Sequence, residues 1–435
     1  MAGWPLERYM NYLFDGEDRM SHQGERVASR RRRIVLAPVG SRGDVQPMLA
    51  LALGLQARGH DVRVGAPANF AAWIQSYGIP FTALGPDMEA DLRRHGDRVQ
   101  SARHQMRILR SEIVPQQFAA LPDLCADADV VVGAGLQAAG PSVAEALGVP
   151  YVFVAYAPVV LASAHHPPPM VRFQRLPRVV NRACWRGFDA LLGLVLAGPI
   201  SRGRRDLGLP PVRDVAAYLT ASPIVVAAET ALTGVAPDLP PSAQLVPALR
   251  LPDHGDLPED LRAFLDAGPP PILLGFGSMV THRMRAVVEI FGAAAGETGL
   301  RLLIQPGWTG VSAPEVRVGA HCALIGAVPH HALLPRVRAV VHHGGAGTTT
   351  SVARAGRPQL VVPHLLDQFY WAERVRALGL GPPPVPVWRV RRVPPLADAL
   401  RRLVTTVDYE RNAAAVAKGI TGDGVEAAIR ILERW

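Results

Sequence analysis

At roughly 150 residues per domain, a chain of 435 residues is long enough for two or three domains and a sizeable core. Apolar residues make up 49% and charged residues 19%, with 41 Gly and 40 Pro, a turn-rich composition that still excludes disordered, collagen-like and coiled-coil classes. The formal charge of +9 is scattered, with Lys418 the only lysine, so no basic stripe marks a nucleic-acid partner. Cys125, Cys184 and Cys322 are odd in number, far apart and outside any CxxC spacing, which argues against a disulfide framework or a zinc site and fits a reducing, cytoplasmic setting.

Residues 1–33 are polar, mixed in charge and without apolar periodicity. They read as a flexible extension, with Met20 a candidate later start, and are set apart from the fold. The run Arg30 to Arg33 suggests a twin-arginine signal, but the apolar stretch behind it stops at Arg42 and Asp44, too short for a secretory core. A regular pattern begins at Ile34: IVLAP (34–38) reads as a buried strand, GSRGDVQ as a Gly-rich loop and 47–58 as a helix started by Pro47 and stopped by Gly59. DVRVGAP begins the next strand. The strands 129–134, 151–155 and 224–228 continue the first half. The uncharged stretch 146–164 is long enough to suggest a membrane span, yet Pro150 and Pro158 divide it into a strand and a loop. Residues 160–215 read as helices inserted into this half.

The same grammar restarts later, with 272–276 as strand, 283–297 as helix and 300–305, 339–343 and 359–363 as strands. The fold class is therefore α/β: two Rossmann-like, doubly wound parallel-sheet domains at 34–236 and 259–420, facing each other across a cleft. Residues 237–258, rich in proline and without a period, read as the linker between them.

The most informative segment is AVVHHGGAGTTTSVARAGRPQLVVP (339–363). A strand leads into the turn His343, Gly344, Gly345, Ala346, Gly347, and a helix opening at Thr348 would present free backbone N–H groups and a positive dipole end, an anion site. The glycines permit close approach to a phosphate. The Thr348 and Thr349 hydroxyls can donate to its oxygens, and His343 adds a donor able to carry charge. Ser278 in GFGSM belongs to the corresponding strand end of the same domain, and Asp367 with Gln368 follows the next strand end. A carboxylate beside an amide suits sugar hydroxyls, which both donate and accept.

Taken together and in order, LAPVGSRGDVQP, GFGS, AVPHHALLPRVRAVVHHGGAGTTT and VVPHLLDQFYWAERVRALGLGP resemble family 1 glycosyltransferases of the GT-B fold, in the branch of sterol glucosyltransferases and actinobacterial, vancomycin-type antibiotic glycosyltransferases. The resemblance spans about 34 to 430. It implies a nucleotide-diphosphate sugar, UDP- or TDP-linked, as donor substrate, with no further cofactor and no metal. The diphosphate would be held by Ser278, His343, Gly344, Gly345, Gly347 and Thr348, the base met by the Val328 backbone, and the sugar read by Asp367 and Gln368. Residues 421–435 would form a helix returning to the first domain. The chain departs from plant relatives at Ala327, where they stack the base on Trp, at Ser351, where they bind the ribose with Glu, and at Phe369, where proline is common.

The resemblance also singles out Asp44 as the base that takes the proton of an acceptor hydroxyl during an inverting transfer to a hydrophobic small molecule. Read from the residues alone, a loop Asp before a helix is as readily a cap. Two alternatives stay open: a non-catalytic auxiliary protein of the same fold, and a peripheral-membrane enzyme with a lipid acceptor, for which the apolar, Arg-rich stretch 172–205 would supply a weak membrane-surface contact. Two signals carry little weight. GAGLQA (133–138) fits GxGxxA but lacks an acidic residue about 20 positions on. Asp127-Ala128-Asp129 spells a metal-binding DxD, yet stands where a helix ends and a strand begins.

Overall fold

A computed structural model describes residues 31–87, 90, 102–277, 279, 283–307 and 321–435. The extension 1–30 and Ser278 lie outside these described residues. The first sheet has seven strands, all parallel: β1 (Arg33–Val39), β2 (Asp61–Ala66), β3 (Phe81–Ala83), β4 (Val130–Gly135), β5 (Tyr151–Ala155), β6 (Ile224–Ala227) and β7 (Ala243–Val246), in the order β3-β2-β1-β4-β5-β6-β7. The second has five: β8 (Ile272–Gly275), β9 (Leu302–Gln305), β10 (Cys322–Leu324), β11 (Ala339–His342) and β12 (Gln359–Val361), in the order β10-β9-β8-β11-β12. Both orders reverse direction once, between β1 and β4 and between β8 and β11. At such a switch point the loops on either side diverge and leave a crevice at the carboxyl ends of the strands.

Strand β7 corrects the expected linker, because residues 243–246 pair with β6 and complete the first sheet rather than bridging the domains as loose chain. Its four residues, AQLV, lie between prolines at 241 and 247 and are too few to show a period of two.

The helices that matter for the site are α1 (Arg42–Ala57), α2 (Val114–Cys125), α3 (Gly140–Leu147), α4 (Arg178–Asp206), α5 (Met284–Thr298), α6 (Ala346–Arg354), α7 (Gln368–Ala377), α8 (Val393–Thr405), α9 (Val407–Lys418) and α10 (Gly424–Leu432). Helix α1 begins five residues before Pro47. Ser41 is its N-cap, and Pro47 sits in the second turn, where it forgoes only the bond to the Gly43 carbonyl. Where sequence suggested several inserted helices, one 29-residue helix, α4, carries most of the insertion. It is long and apolar enough to cross a bilayer by length and composition. However, Trp185, Val195, Leu196 and Ile200 are buried, and near its end Arg204 pairs with Glu145 on α3 at 2.6 Å.

The core divides by sheet face. One cluster places α1 between β1, β2, β4 and helix α10, whose Val425, Ala428, Ile429 and Leu432 are buried in the first domain. Gly54 makes that docking possible, since a Cβ there would overlap Val425 and lie 2.9 Å from Ile429 Cδ1. Polar clamps ring the contact: Arg58 with Glu426 and Glu433, and Arg32 with the carbonyls of Leu432 and Glu433. The cluster under β8, β9 and β11 is closed by α5 and α8. A third cluster joins the domains, packing Ala157, Val159 and Leu232 of the first against Tyr370, Trp371 and Val375 of α7. Replacing Gly54 with Val should drive α10 off α1 and cost about 1–3 kcal/mol, the usual penalty of overpacking. Urea denaturation reads it, and an unchanged midpoint would show that α10 contributes nothing to the first domain.

Candidate active site

The loop after β1 folds under the direction of Asp44. As the third residue of α1, Asp44 accepts the Ser41 backbone N–H at 2.7 Å and the Ser41 hydroxyl at 3.1 Å, while Ser41 Oγ accepts the Gly43 N–H at 3.2 Å. This is a reciprocal capping box. Two glycines give the carboxylate its slot. Gly40 (φ 151°) would meet the Asp44 carboxylate if it carried a Cβ, and a Cβ on Gly135 (φ 66°), at the end of β4, would lie 2.9 Å from Oδ1. Asp44 thus occupies the switch point of the first sheet, between the ends of β1 and β4. Burial of the carboxylate outweighs the Ser41 hydrogen bonds and raises its pKa to about 6. The Tyr156 hydroxyl, from the loop after β5, donates to the Asp44 carbonyl at 2.7 Å.

His343 occupies the equivalent position in the second sheet. Its imidazole fits against Gly277, at the end of β8, and Gly345, where a Cβ would lie 3.2 Å from Cε1 and 2.5 Å from Nε2 respectively. Burial, with the neighbouring His342 and His364, lowers its pKa to about 3, so His343 is a neutral donor or acceptor near pH 7 and not the charged group that its sequence suggested. Its Nδ1 is buried without a hydrogen-bond partner.

The turn beside it is fixed by a chain that sequence reading passed over. The Gly344 N–H donates to His342 Nδ1 at 3.0 Å, His342 Nε2 meets Gln359 Oε1 at 2.9 Å, and Gln359 Nε2 donates to the Thr349 carbonyl at 3.3 Å. The first contact leaves Nδ1 as acceptor and Nε2 as donor. Only their places on adjacent buried strands, residues 342 and 359, hinted at this pairing. Gly344 adopts φ 91° with Val361 and the Gln368 carbonyl close by.

Helix α6 opens at Ala346, two residues before the expected Thr348. Its N-cap is Gly345, which has no side chain to offer, so the N–H groups of Ala346, Gly347 and Thr348 have no acceptor within the helix. Gly347 is open to solvent. Thr349 turns inward and donates to the Gly345 carbonyl at 2.9 Å, and the Ser351 hydroxyl donates to the Gly347 carbonyl at 2.9 Å, so neither hydroxyl faces outward.

The loop after β12 brings Asp367 to the same rim. Asp367 immediately precedes α7 but its carboxylate does not cap that helix. Desolvation, and then the negative charge of Asp44, raise its pKa to about 7. Gln368 behaves differently from a group that reads a ligand, because its Oε1 accepts the N–H groups of His364 (2.8 Å) and Leu365 (3.1 Å) and its Nε2 contacts Met279 Sδ at 3.2 Å. It clips the loop that carries Asp367. Leu366 in that loop has φ 50°, a conformation unfavourable for leucine by about 1 kcal/mol. Val328 lies at the far end of the rim, packed against the core under β9 and β11 and just before the short helix His330–Leu333, whose first N–H groups are capped by Asp253. Phe369 is buried and packs on Trp388 with ring centroids 5.8 Å apart.

The discounted motifs have structural partners. Asp127 pairs with Arg33 (2.6 Å) and Arg63 (2.8 Å), and Asp129 accepts the Arg33 N–H. In GAGLQA, Gln137 bonds the backbone at Ala37, Ala139 and Gly140, while Gly133 and Gly140 make room for the Tyr151 ring.

This arrangement accords with comparisons to known proteins. Residues 34–166 match the family model described as glycosyltransferase family 28 N-terminal domain, and residues 314–427 match the erythromycin biosynthesis protein CIII-like C-terminal domain. The chain is 36% identical over 408 residues to a vancomycin aglycone glucosyltransferase of Amycolatopsis orientalis, covering 92% of this chain and 97% of that protein. It is 29% identical to a sterol 3-beta-glucosyltransferase of Arabidopsis thaliana, over 93% of this chain and 68% of that one. Among solved structures, the kitacinnamycin glycotransferase superposes with a TM-score of 0.71 at 20% identity, covering 93% and 99% of the two chains. VinC, solved in complex with dTDP, superposes with a TM-score of 0.67 at 22% identity, covering 92% and 98%. The chain belongs to the GT-B glycosyltransferases, in the branch that includes the vancomycin-type antibiotic and sterol enzymes.

Two outcomes test the site as built. Gln359→Leu strands the His342 donor and the Thr349 carbonyl, and should cost about 1–3 kcal/mol of stability, measured by denaturant unfolding. Carbon-13 NMR titration of the carboxyl groups should show Asp367 near 7 in the parent and lower in Asp44→Asn. An unmoved Asp367 would mean that the two carboxylates do not face each other. Because both pKa values are raised on folding, the stability these groups contribute is full below about pH 4 and is lost as pH rises through 6 to 7.

Proposed function

We propose that this enzyme transfers a sugar from a UDP- or TDP-sugar to a hydroxyl of a lipophilic small-molecule acceptor, with inversion at the anomeric carbon and no metal ion in the chemistry. The observation that carries the reading is the electrostatic coupling, across the cleft, of a first-domain carboxylate, Asp44, to a second-domain carboxylate, Asp367, in the domain whose Gly344 turn, against the Gln368 backbone, leads into the uncapped start of α6.

The roles follow from the geometry. The N–H groups of Ala346, Gly347 and Thr348, with the positive end of the α6 dipole and a neutral His343, receive the diphosphate. Gly344 and Gly345 give it room, and Val328 stands where the base would lie. Asp367 accepts hydroxyl hydrogens of the sugar, with Gln368 holding its loop. Asp44 takes the proton of the acceptor hydroxyl as that oxygen bonds to the anomeric carbon and the bond from that carbon to the diphosphate oxygen breaks. Charge collects on the departing diphosphate, where the α6 N–H groups are already aimed. Since Asp44 must be ionised to act, kcat/KM should fall as pH drops through about 6.

The relatives are named for transfer to vancomycin aglycone and to a sterol, and VinC and a second neighbour were solved with thymidine diphosphate, which supports a diphosphate donor and a bulky small-molecule acceptor. A cytoplasmic location goes with such soluble donors. Exposed Val179 and Leu194 on α4 and Phe173 before it favour a weak membrane-surface contact as a second reading, which co-sedimentation with liposomes would decide.

The test of the main reading is incubation with UDP- and TDP-sugars and a panel of hydrophobic alcohols, with products read by mass spectrometry and anomeric configuration by NMR. Asp44→Asn should lower kcat by about 10² to 10⁴ while leaving UDP affinity unchanged, since the nucleotide lies on the other domain and the amide can still bond the Ser41 N–H. Near-normal turnover would remove Asp44 from the mechanism.

A further inference from the structure

A crevice of about 350 Å³ lies between the domains, beyond the Asp44–Asp367 pair. Its first-domain wall is formed by Pro158, His165, His166, Gln174 and residues 233–237, and its second-domain wall by Tyr370, Glu373, Arg374 and Ala377 of α7. Its polar groups are incompletely matched. His166, 7% exposed, has an Nε2 without a partner, and Gln174 has an Oε1 without one. Arg374 donates from Nε to the Leu232 carbonyl at 2.7 Å, and among the described residues no carboxylate lies within ion-pairing distance of it. Its neighbour Glu373 is already engaged by Arg175 at 2.9 Å and Arg376 at 2.6 Å. The remaining surface is apolar or aromatic: Pro158, Val235, Ala236, Pro237 and Tyr370, whose ring stands edge-on to His166 with centroids 5.9 Å apart.

The crevice is built from the same loop and helix that carry residues of the site. Pro158 follows by two residues Tyr156, which bonds the Asp44 carbonyl. Arg374 follows Asp367 by seven residues on α7, two helical turns on the same face and about 10 Å along the axis. We infer that this crevice is the part of the acceptor site that selects a carboxylate: the acceptor places its hydroxyl at Asp44, lays its apolar body along Tyr370 and Val235, and sets a carboxylate on Arg374. An unpaired, partly desolvated arginine is strongly selective for a planar anion.

This inference rests on the proposed transfer reaction, and its test separates the two. The probes are 4′-hydroxybiphenyl-4-carboxylic acid, which carries its hydroxyl and carboxylate at opposite ends of a rigid apolar body, and its methyl ester, which keeps the body and removes the charge. With the full chain and UDP present, calorimetry should show the acid binding at least tenfold more tightly than the ester. Arg374→Gln should erase that preference with ester affinity retained. Arg374→Lys, which keeps charge but loses the Leu232 contact, should preserve most of it, and Val235→Trp, which fills the mouth, should weaken both probes. UDP affinity should be the same in all variants. Equal binding of acid and ester by the parent, a preference that survives Arg374→Gln, or binding of neither probe would overturn the inference. Failure of UDP itself to bind would instead overturn the transferase reading.

Discussion

The structure depends on one constraint: two parallel sheets present their switch points to each other. A doubly wound sheet opens only at the carboxyl ends of its strands, where the order reverses. The first sheet places Asp44 there, held between the ends of β1 and β4, and the second places His343 there, held between the ends of β8 and β11. Neither position has chemistry of its own. When α7 and the loops after β5 and β6 pack into a shared apolar cluster, Asp367 comes within electrostatic reach of Asp44, whose charge adds to burial in raising the Asp367 pKa.

The seam is supported by packing and hydrogen bonds on all sides. Glycines at 40, 135, 277 and 345 leave room for the Asp44 and His343 side chains, while other residues hold the loops: Ser41 for Asp44, the His342–Gln359 pair for the glycine turn, Gln368 for the loop of Asp367. Helix α10 returns from the second domain to the first and ties the two halves on the side of α1. Under the proposed reaction, a sugar donor that supplies hydroxyl hydrogens to Asp367 and an acceptor that supplies one to Asp44 would give two buried carboxylates hydrogen bonds.

Much of the fold was legible because parallel strands buried on both faces read as continuous apolar runs: 34–38, 151–155 and 224–228 fall on β1, β5 and β6 almost residue for residue. The strands that escaped are short edge strands, β3, β7 and β10, of three or four residues, too brief for periodicity to register. Helix starts were misplaced where the cap was unusual. Ser41 precedes a proline that looked like a start signal, and Gly345 caps α6 without a side chain. At the site, residue types pointed to the loops at the strand ends where the sheet orders reverse, but not to the state of each group. Burial neutralises His343, and Gln368 is spent on its own loop, outcomes set by packing between segments far apart in the chain.

The most direct measurement of the central claim is calorimetric titration of the full chain with UDP and with TDP, set beside the same titration of Gly344→Ala. Gly344 holds a left-handed turn against Val361 and the Gln368 backbone, so a methyl group there must displace the turn proposed to receive the diphosphate. The account predicts one-to-one binding of at least one nucleotide by the parent and a loss of about tenfold or more in the variant. Binding of neither nucleotide, or equal binding by both proteins, would contradict it.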